Sequence, residues 1–437
     1  MLQTKTFRGG VHPPAQKLSA SVALEELTAP SEVTILLKQH IGTPVNPLVK
    51  VGERVLMGQK IGDVETGLAA PVHASVAGKV KSIGSVDGAD GKKVAAITIE
   101  NDGSDELHPN IAPYLNWDSA RPDELREYIR EAGIVGMGGA GFPTHAKLRV
   151  PPDKRISALI INGAECEPYL TCDHRLLLEQ PELIFTGIRV LMQAASVDRA
   201  YIGIKITMDG VQEALKSFFA REQGIDLVLL ESKYPQGEER QLIYAVTGKE
   251  IPSGGLPWDV GAMVVNVSTA WAVGSLVTTG LPSIKRAVTV TGSVHKPGNF
   301  LVRIGTPLKN LVEAAGGFSS PPGSVILGGP MTGFPQHSLN VNLTKQNNGV
   351  LVLNESEMGS SAKTDCIHCG KCVSICPCRL MPVYLGKEAE LENVEQLKKY
   401  NILDCRECGS CAYICPAKIP LLHWIRLGKG LVQAARR

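Results

Sequence analysis

Apolar positions change their period several times along the chain, and each change marks a different kind of element. From Val33 to Ile83 they alternate with polar positions between turn glycines. That pattern predicts an all-β unit with one hairpin over Val49–Ile61 and another over Ala70–Val80. Asp123 to Ala132 is helical in composition, and Ile156-Ser-Ala-Leu-Ile-Ile-Asn162 reads as a strand. Val260 to Ile284 contains no charged residue and is long enough to cross a bilayer. Asn266, Ser268, Thr269, Ser275, Thr278, Thr279 and Pro282 interrupt it, so a buried strand followed by a core helix fits better. Glu388 to Tyr400, rich in Glu, Leu and Lys, reads as one amphipathic helix.

A chain of 437 residues exceeds one ordinary core, so several domains are expected. Hydrophobic residues make up 43% and charged residues 20%, which excludes disorder. A formal net charge of +2 offers no basic footprint for nucleic acid and no polybasic membrane patch. Met1 to Gly10 lacks a charged region followed by an apolar run, so no signal peptide is expected. Membrane association, if any, is then expected through partners, with no direct span.

Cysteine spacing decides the chemistry. Cys366-x-x-Cys369-x-x-Cys372-x-x-x-Cys376-Pro377 is repeated as Cys405-x-x-Cys408-x-x-Cys411-x-x-x-Cys415-Pro416. In such runs three thiolates wrap one [4Fe-4S] cube on a tight loop while the fourth crosses to the other cube. Cys366, Cys369, Cys372 and Cys415 are therefore assigned to cluster 1, and Cys405, Cys408, Cys411 and Cys376 to cluster 2. Zinc sites favour separated C-x-x-C pairs, and disulfides need an oxidising compartment. Cys378 falls outside the repeat and is read as a spectator. The helical spacer points to a helical two-cluster ferredoxin unit.

The other informative segment is Gly136-Met-Gly138-Gly139-Ala-Gly141-Phe142-Pro-Thr-His-Ala-Lys147. It contains G-x-G-x-x-G, but a helix precedes it and the strand follows, so it is not the standard dinucleotide fingerprint. Consecutive glycines let backbone N–H groups approach a phosphate or flavin ring, and Lys147 adds charge. A purely structural glycine turn is the competing reading. Downstream, Tyr234-Pro-Gln-Gly237-Glu238-Glu239 places paired carboxylates after a turn, and Asn266 stands alone in an apolar strand. On their own, such groups are usually solvated pairs or satisfied core amides.

The glycine loop, Asn162-Gly-Ala-Glu165-Cys-Glu167-Pro, Tyr234-x-x-Gly-Glu-Glu and the asparagine strand occur in this order in the flavin- and NADH-binding subunit of respiratory complex I. The closer resemblance is to the RnfC family, a component of the Rnf complex, which is an ion-translocating NADH:ferredoxin oxidoreductase. Phe7-Arg-Gly-Gly-Val-His-Pro-Pro14, Gly329-Pro330-Met331 and the tandem cysteine runs extend it over essentially the whole chain. The resemblance implies non-covalent FMN, with Gly136, Gly138, Gly139, Gly141, Lys147, Asn162, Glu165, Tyr234, Glu238 and Asn266 at cofactor-contacting positions. It also implies Phe142 beside the nicotinamide of NADH, and Glu167 and Glu239 at NADH-binding positions. Ala164 stands where complex I has an Asp on the flavin, and Ile251-Pro-Ser-Gly-Gly-Leu-Pro257 replaces its Lys-Pro-Pro-Phe-Pro segment. Val33–Ile83 resembles a lipoyl-carrier barrel-sandwich, yet Leu68 occupies the modified lysine's place, so nothing can be attached there. Ala287–Phe318 resembles a β-grasp, soluble-ligand-binding insert.

The expected architecture is a multidomain α/β chain. It comprises a barrel-sandwich domain (1–115), a Rossmann-like FMN- and NADH-binding core (116–284), a β-grasp domain (285–345) and a helical two-cluster domain (346–437). The implied function is electron input: NADH reduces FMN, single electrons pass through two [4Fe-4S] clusters, and no side chain need act as acid or base. Partners would be the RnfB iron–sulfur component and the integral membrane subunits of an Rnf complex, with ferredoxin reached indirectly. The chain would sit peripherally on the cytoplasmic face of the membrane. A cobalamin reductase with the same flavin core and a non-enzymatic iron–sulfur scaffold are the alternatives.

Overall fold

A computed structural model describes residues 3–358 and 362–435. The N-terminal segment does not stay with the barrel that follows it. Lys5 pairs with Leu230 and Val11 with Tyr234, and β1 (Leu24–Glu26) lies parallel to a strand of the third module. The barrel-sandwich comprises β2 (Glu32–Leu36), β3 (Asn46–Pro47), β4 (Arg54–Val55), β5 (Lys60–Asp63), β6 (Val72–His73), β7 (Gly78–Asp87) and β8 (Lys93–Asn101). Its sheets run β2-β8-β7-β4 and β3-β5-β6, closing over Val33, Ile35, Val55, Ile61, Val72, Val80, Ile97 and Ile99.

Neither expected hairpin forms. Within Val49–Ile61, β4 pairs with β7 while β5 pairs with β3 and β6; within Ala70–Val80, β6 and β7 likewise belong to different sheets. The chain changes sheet at glycines. Gly58 has φ +84°, and Gly78 lies so near Glu100 O that an added Cβ would stand 1.9 Å from it.

The second module holds α1 (Pro122–Glu131), α2 (Thr144–Lys147), β9 (Ala158–Gly163), α3 (Cys172–Glu179), α4 (Pro181–Ala195), β10 (Ala200–Lys205), α5 (Val211–Arg221), β11 (Ile225–Leu230), α6 (Glu239–Thr247), β12 (Ala262–Asn266) and α7 (Val267–Thr279). All pairings are parallel, in the order β11-β10-β9-β12. Residues along β9 alternate between two cores. Leu159 and Ile161 pack with the helices that include α4 and α7, whereas Ala158 and Ile160 pack against Leu242 and Ile243 of α6. A sheet covered on both faces needs nearly continuous apolar strands, which the uncharged β9 and β12 supply. Val260–Ile284 is strand plus core helix as expected, and among the described residues no helix is long and apolar enough to cross a membrane.

The third module has β13 (Lys285–Gly292), β14 (Gly298–Arg303), α8 (Leu308–Ala314), β15 (Pro322–Leu327), β16 (Phe334–Gln336) and β17 (Gly349–Asn354). Its sheet order is β1-β14-β13-β17-β15-β16. The expected boundary at 345 therefore falls too early: β17 lies between β13 and β15, with Val350, Leu351 and Val352 fully buried. The last module carries α9 (Lys371–Ser374), α10 (Pro382–Glu390), α11 (Val394–Lys399), α12 (Ser410–Tyr413) and α13 (Leu421–Ala434). The single helix expected over Glu388–Tyr400 is broken. Glu392 adopts φ 53°, and Asn393 caps α11 by accepting a hydrogen bond from Gln396 N at 3.3 Å.

Candidate flavin and iron–sulfur sites

In open α/β sheets, ligands collect at the carboxyl ends of strands where the strand order reverses. Here that place lies between β9 and β12, where Asn162, next to the end of β9, and Asn266, the last residue of β12, are register partners. Neither side chain is free. Asn162 donates to Gly237 O at 2.8 Å and accepts from Ala164 N at 3.2 Å. Asn266 caps α7 by accepting from Ser268 N at 2.8 Å and donates to Asp173 Oδ2 at 2.9 Å. Asp173 also accepts from Ser268 Oγ at 2.5 Å.

The chain beyond β9 is held from below. Glu165, at φ 38°, accepts from Asp173 N at 2.8 Å, and burial pushes its carboxyl up to about 7. Lys17 gathers this bend by donating to the carbonyls of Glu165, Glu167 and Leu170 at 3.1, 3.0 and 2.5 Å. Glu167 is engaged at both oxygens, accepting from Met331 N at 3.0 Å and Thr332 Oγ1 at 2.5 Å.

The glycine loop closes the other side. Gly136 N donates to Phe142 O at 2.9 Å, Met137 N to Thr269 Oγ1 at 2.9 Å, and buried Arg286 reaches Met137 O at 3.4 Å. A Cβ on Gly138 would stand 2.7 Å from Asn266 Nδ2, and one on Gly141 (φ +69°) 2.3 Å from Gln346 Nε2. Gly139 faces open space. Among the described residues, the N–H groups of Gly138, Gly139, Ala140 and Gly141 meet no protein acceptor. Four neighbouring free donors in a glycine cradle fit a phosphate-bearing ring cofactor. Phe142 is 38% exposed at the loop's end, and Lys147 pairs with Glu239 Oε1 at 2.8 Å.

Tyr234 to Glu239 joins this cradle to the cysteine module. Tyr234 is buried, and its hydroxyl donates to Cys408 O at 2.7 Å. Glu238 caps α6 through Arg240 N and Gln241 N and lies 3.8 Å from Arg406 Nε. Between them, Gln236 is fully buried with both side-chain polar atoms lacking a partner among the described residues. A buried amide in that state is anomalous unless a ligand or water meets it. Gln236, Asp173 and Lys17 were not singled out from sequence. Only the position of Gln236 inside Tyr-x-x-Gly-Glu-Glu could have pointed to it.

The two cysteine runs fold into mirrored loops, each ending in a short helix, α9 or α12. Cys376, Cys405, Cys408 and Cys411 line one cage, which places the last ligand of the first run with the first three of the second. At the other set, Thr364 N donates to Ala417 O at 3.0 Å, which ties the chain two residues before Cys366 to the chain two residues after Cys415. Among the described residues no three His, Cys, Asp or Glu converge on a single ion. A cube needs a wider, four-cornered thiolate cage, and the donor set fits it. The first loop is the more exposed, with Cys369 at the surface and Ile367 67% exposed.

Known proteins match this chain module by module. The model of the RnfC barrel sandwich hybrid domain covers residues 5–104, the Nuo51 FMN-binding domain 129–275, the SLBB domain 287–335 and the 4Fe-4S dicluster domain 365–419. The C component of the Na(+)-translocating ferredoxin:NAD(+) oxidoreductase complex of Acetobacterium woodii is 42% identical over 99% of this chain and 98% of its own length. The chain belongs to the RnfC family. The C component of the proton-translocating ferredoxin:NAD(+) oxidoreductase complex of Clostridium ljungdahlii is 43% identical over 99% of this chain and 95% of its own. Its counterpart in the ion-translocating oxidoreductase complex of Rhodobacter capsulatus is 39% identical over 98% and 83%. With its FMN-binding and 4Fe-4S dicluster domains, the chain is an electron-transport subunit of that family.

Proposed function

We propose that the chain oxidises NADH at a non-covalent FMN held in the glycine cradle and passes electrons through two [4Fe-4S] clusters to partner subunits. Those partners would be an iron–sulfur subunit and integral membrane subunits of an ion-translocating complex, with this chain at the cytoplasmic face. One observation carries the reading: the Tyr234–Glu239 turn touches the cradle through Glu239–Lys147 and the second cage through Tyr234–Cys408.

Bound in the cradle, FMN supplies the conversion between a two-electron hydride donor and one-electron carriers. The free N–H groups of Gly138 to Gly141 and the Lys147 ammonium would hold it. The exposed Phe142 ring offers a nicotinamide a stacking face, and Glu239 offers acceptors at the start of α6. Glu167 contributes at one remove, because its carboxylate fixes the Gly329–Thr332 turn, whose Met331 O would stand 2.7 Å from a Cβ on Gly409 beside Cys408. Asn162, Glu165 and Asn266 set the floor through their own hydrogen bonds, and none is placed to move a proton.

The test is anaerobic isolation of the full chain, with flavin and iron counted and NADH titrated in. Bleaching of flavin absorbance by NADH, followed by reduction of the clusters, is expected, and Lys147→Ala should lower flavin content. A chain carrying iron but no flavin, and inert to NADH, would leave only the scaffold alternative.

A further inference from the structure

The second cage contains five thiols where a cube needs four. Cys378 lines it together with Cys376, Cys405, Cys408 and Cys411. It also borders a crevice of about 290 Å³ whose walls include Arg8, Arg240 and Arg379, so its thiol sits between cage and solvent. The backbone explains how two cysteines so near in sequence share one cage. Arg379 adopts φ 54° and its N–H returns to Cys376 O at 3.1 Å, closing a tight turn over Pro377.

The internal repeat supplies a built-in comparison. Lys418 adopts φ 52° and its N–H returns to Cys415 O at 3.2 Å, so the same turn follows the crossing ligand of the first cluster. There the residue corresponding to Cys378 is Ala417, buried at 5% exposure. One cage has a fifth thiol and its twin has a methyl group.

We propose that Cys378 is a reserve ligand of cluster 2, able to take the iron held by Cys376. This rests on the two-cluster reading above. In the exchange the Fe–Sγ bond to Cys376 breaks, and the released thiolate takes the proton given up by Cys378. The Fe–Sγ bond to Cys378 forms, and charge and electron count are unchanged. Cluster 1 has no such recourse.

The experiment uses the full chain purified anaerobically, with iron and acid-labile sulfide counted and the dithionite-reduced EPR spectrum recorded. Wild type should carry ~8 iron atoms, as two cubes require. Cys376→Ala should keep the full complement with an altered EPR signal, whereas Cys376→Ala/Cys378→Ala and Cys415→Ala should each lose half. If Cys376→Ala loses half while wild type is full, the reserve ligand is refuted and the two-cluster reading stands. If wild type itself holds fewer than two clusters, both fall. A second readout avoids the ligand variants altogether. Iron release from cluster 2 to an excess of a ferrous chelator should be several-fold faster in Cys378→Ala than in wild type, and equal rates would overturn the proposal.

Discussion

Helices α4 and α7 touch backbone to backbone at two glycines. A Cβ on Gly274 would stand 1.8 Å from Leu183 O, and one on Gly187 1.8 Å from Ala270 O. Heavy-atom contacts settle near ~3.5 Å, so Gly274→Ala obliges the helices to part by roughly 1.5 Å. Nothing around the crossing yields easily, because Ile184, Ile188, Leu191, Ala270 and Val273 are all fully buried. Overpacking of this kind costs ~1–3 kcal/mol, and a backbone obstacle puts the expected loss at the upper end, about 3 kcal/mol. For a module of this size that is roughly 6–12 °C in Tm. Displacing α7 also drags its capping residue Asn266, which abuts Gly138 in the cradle, so flavin retention should fall with stability. Thermal denaturation with flavin fluorescence measures both. The matched control is Gly430→Ala on an exposed turn of α13, where a Cβ meets nothing within 4 Å. There the same change should stabilise by ~0.5–1 kcal/mol through helix propensity. A Gly274→Ala Tm within about 1 °C of wild type, against the several degrees expected, would refute the argument from close approach.

Tyr234→Phe removes the donor to Cys408 O and leaves a half-buried carbonyl without its partner, a loss of ~1 kcal/mol. Amide hydrogen exchange around Cys408 should quicken about fivefold; unchanged exchange would show that the contact does not hold the modules together. Lys345 is fully buried and donates to Pro71 O and Gly133 O at 2.7 Å each, and burial pushes its pKa down to about 7. His40 and His73 lie near enough to feel its charge. Between that value and the ordinary lysine pKa of ~10.4 the unfolded chain binds the extra proton, so this group makes stability rise with pH. Urea midpoints at pH 7 and 9 should show that rise in wild type and a smaller one in Lys345→Met; parallel profiles would contradict it.

The grouping of Cys376 with Cys405, Cys408 and Cys411 was legible because ligand spacing is a local property. The glycine loop was legible in place but not in detail. Nothing in the sequence marks the N–H groups of Gly138 to Gly141 as free, since that depends on Thr269 and Phe142 satisfying their neighbours instead. Alternation over Val33–Ile83 showed that strands were present without showing their partners, because period reports a buried face and not a neighbour. The break before α11 did have a local signal, with Asn393 followed three residues later by Gln396, a helix-start pattern inside an apparently continuous helix. Lys17 had none: its importance comes from three carbonyls about 150 residues away, brought to it by the fold.

The opening Phe7-Arg-Gly-Gly-Val11 acquires a physical reason from the same geometry. Val11 and Tyr234 exchange backbone hydrogen bonds at 2.8 and 2.9 Å, so the segment is a short strand laid along the bridging turn. Gly10 N donates to Ile375 O at 2.7 Å, one residue before Cys376. A Cβ on Gly9 would stand 2.7 Å from Ile375 O and one on Gly10 2.6 Å from Tyr234 O, and both have positive φ, so only glycine fits. Phe7 packs beneath, buried, with the Lys233 ammonium 4.5 Å from its ring centre. The N-terminus therefore ties the turn that borders the glycine cradle to the cysteine run that ends in Cys376. The glycines of this motif therefore act through close backbone contacts, with Ile375 O on one side and Tyr234 O on the other.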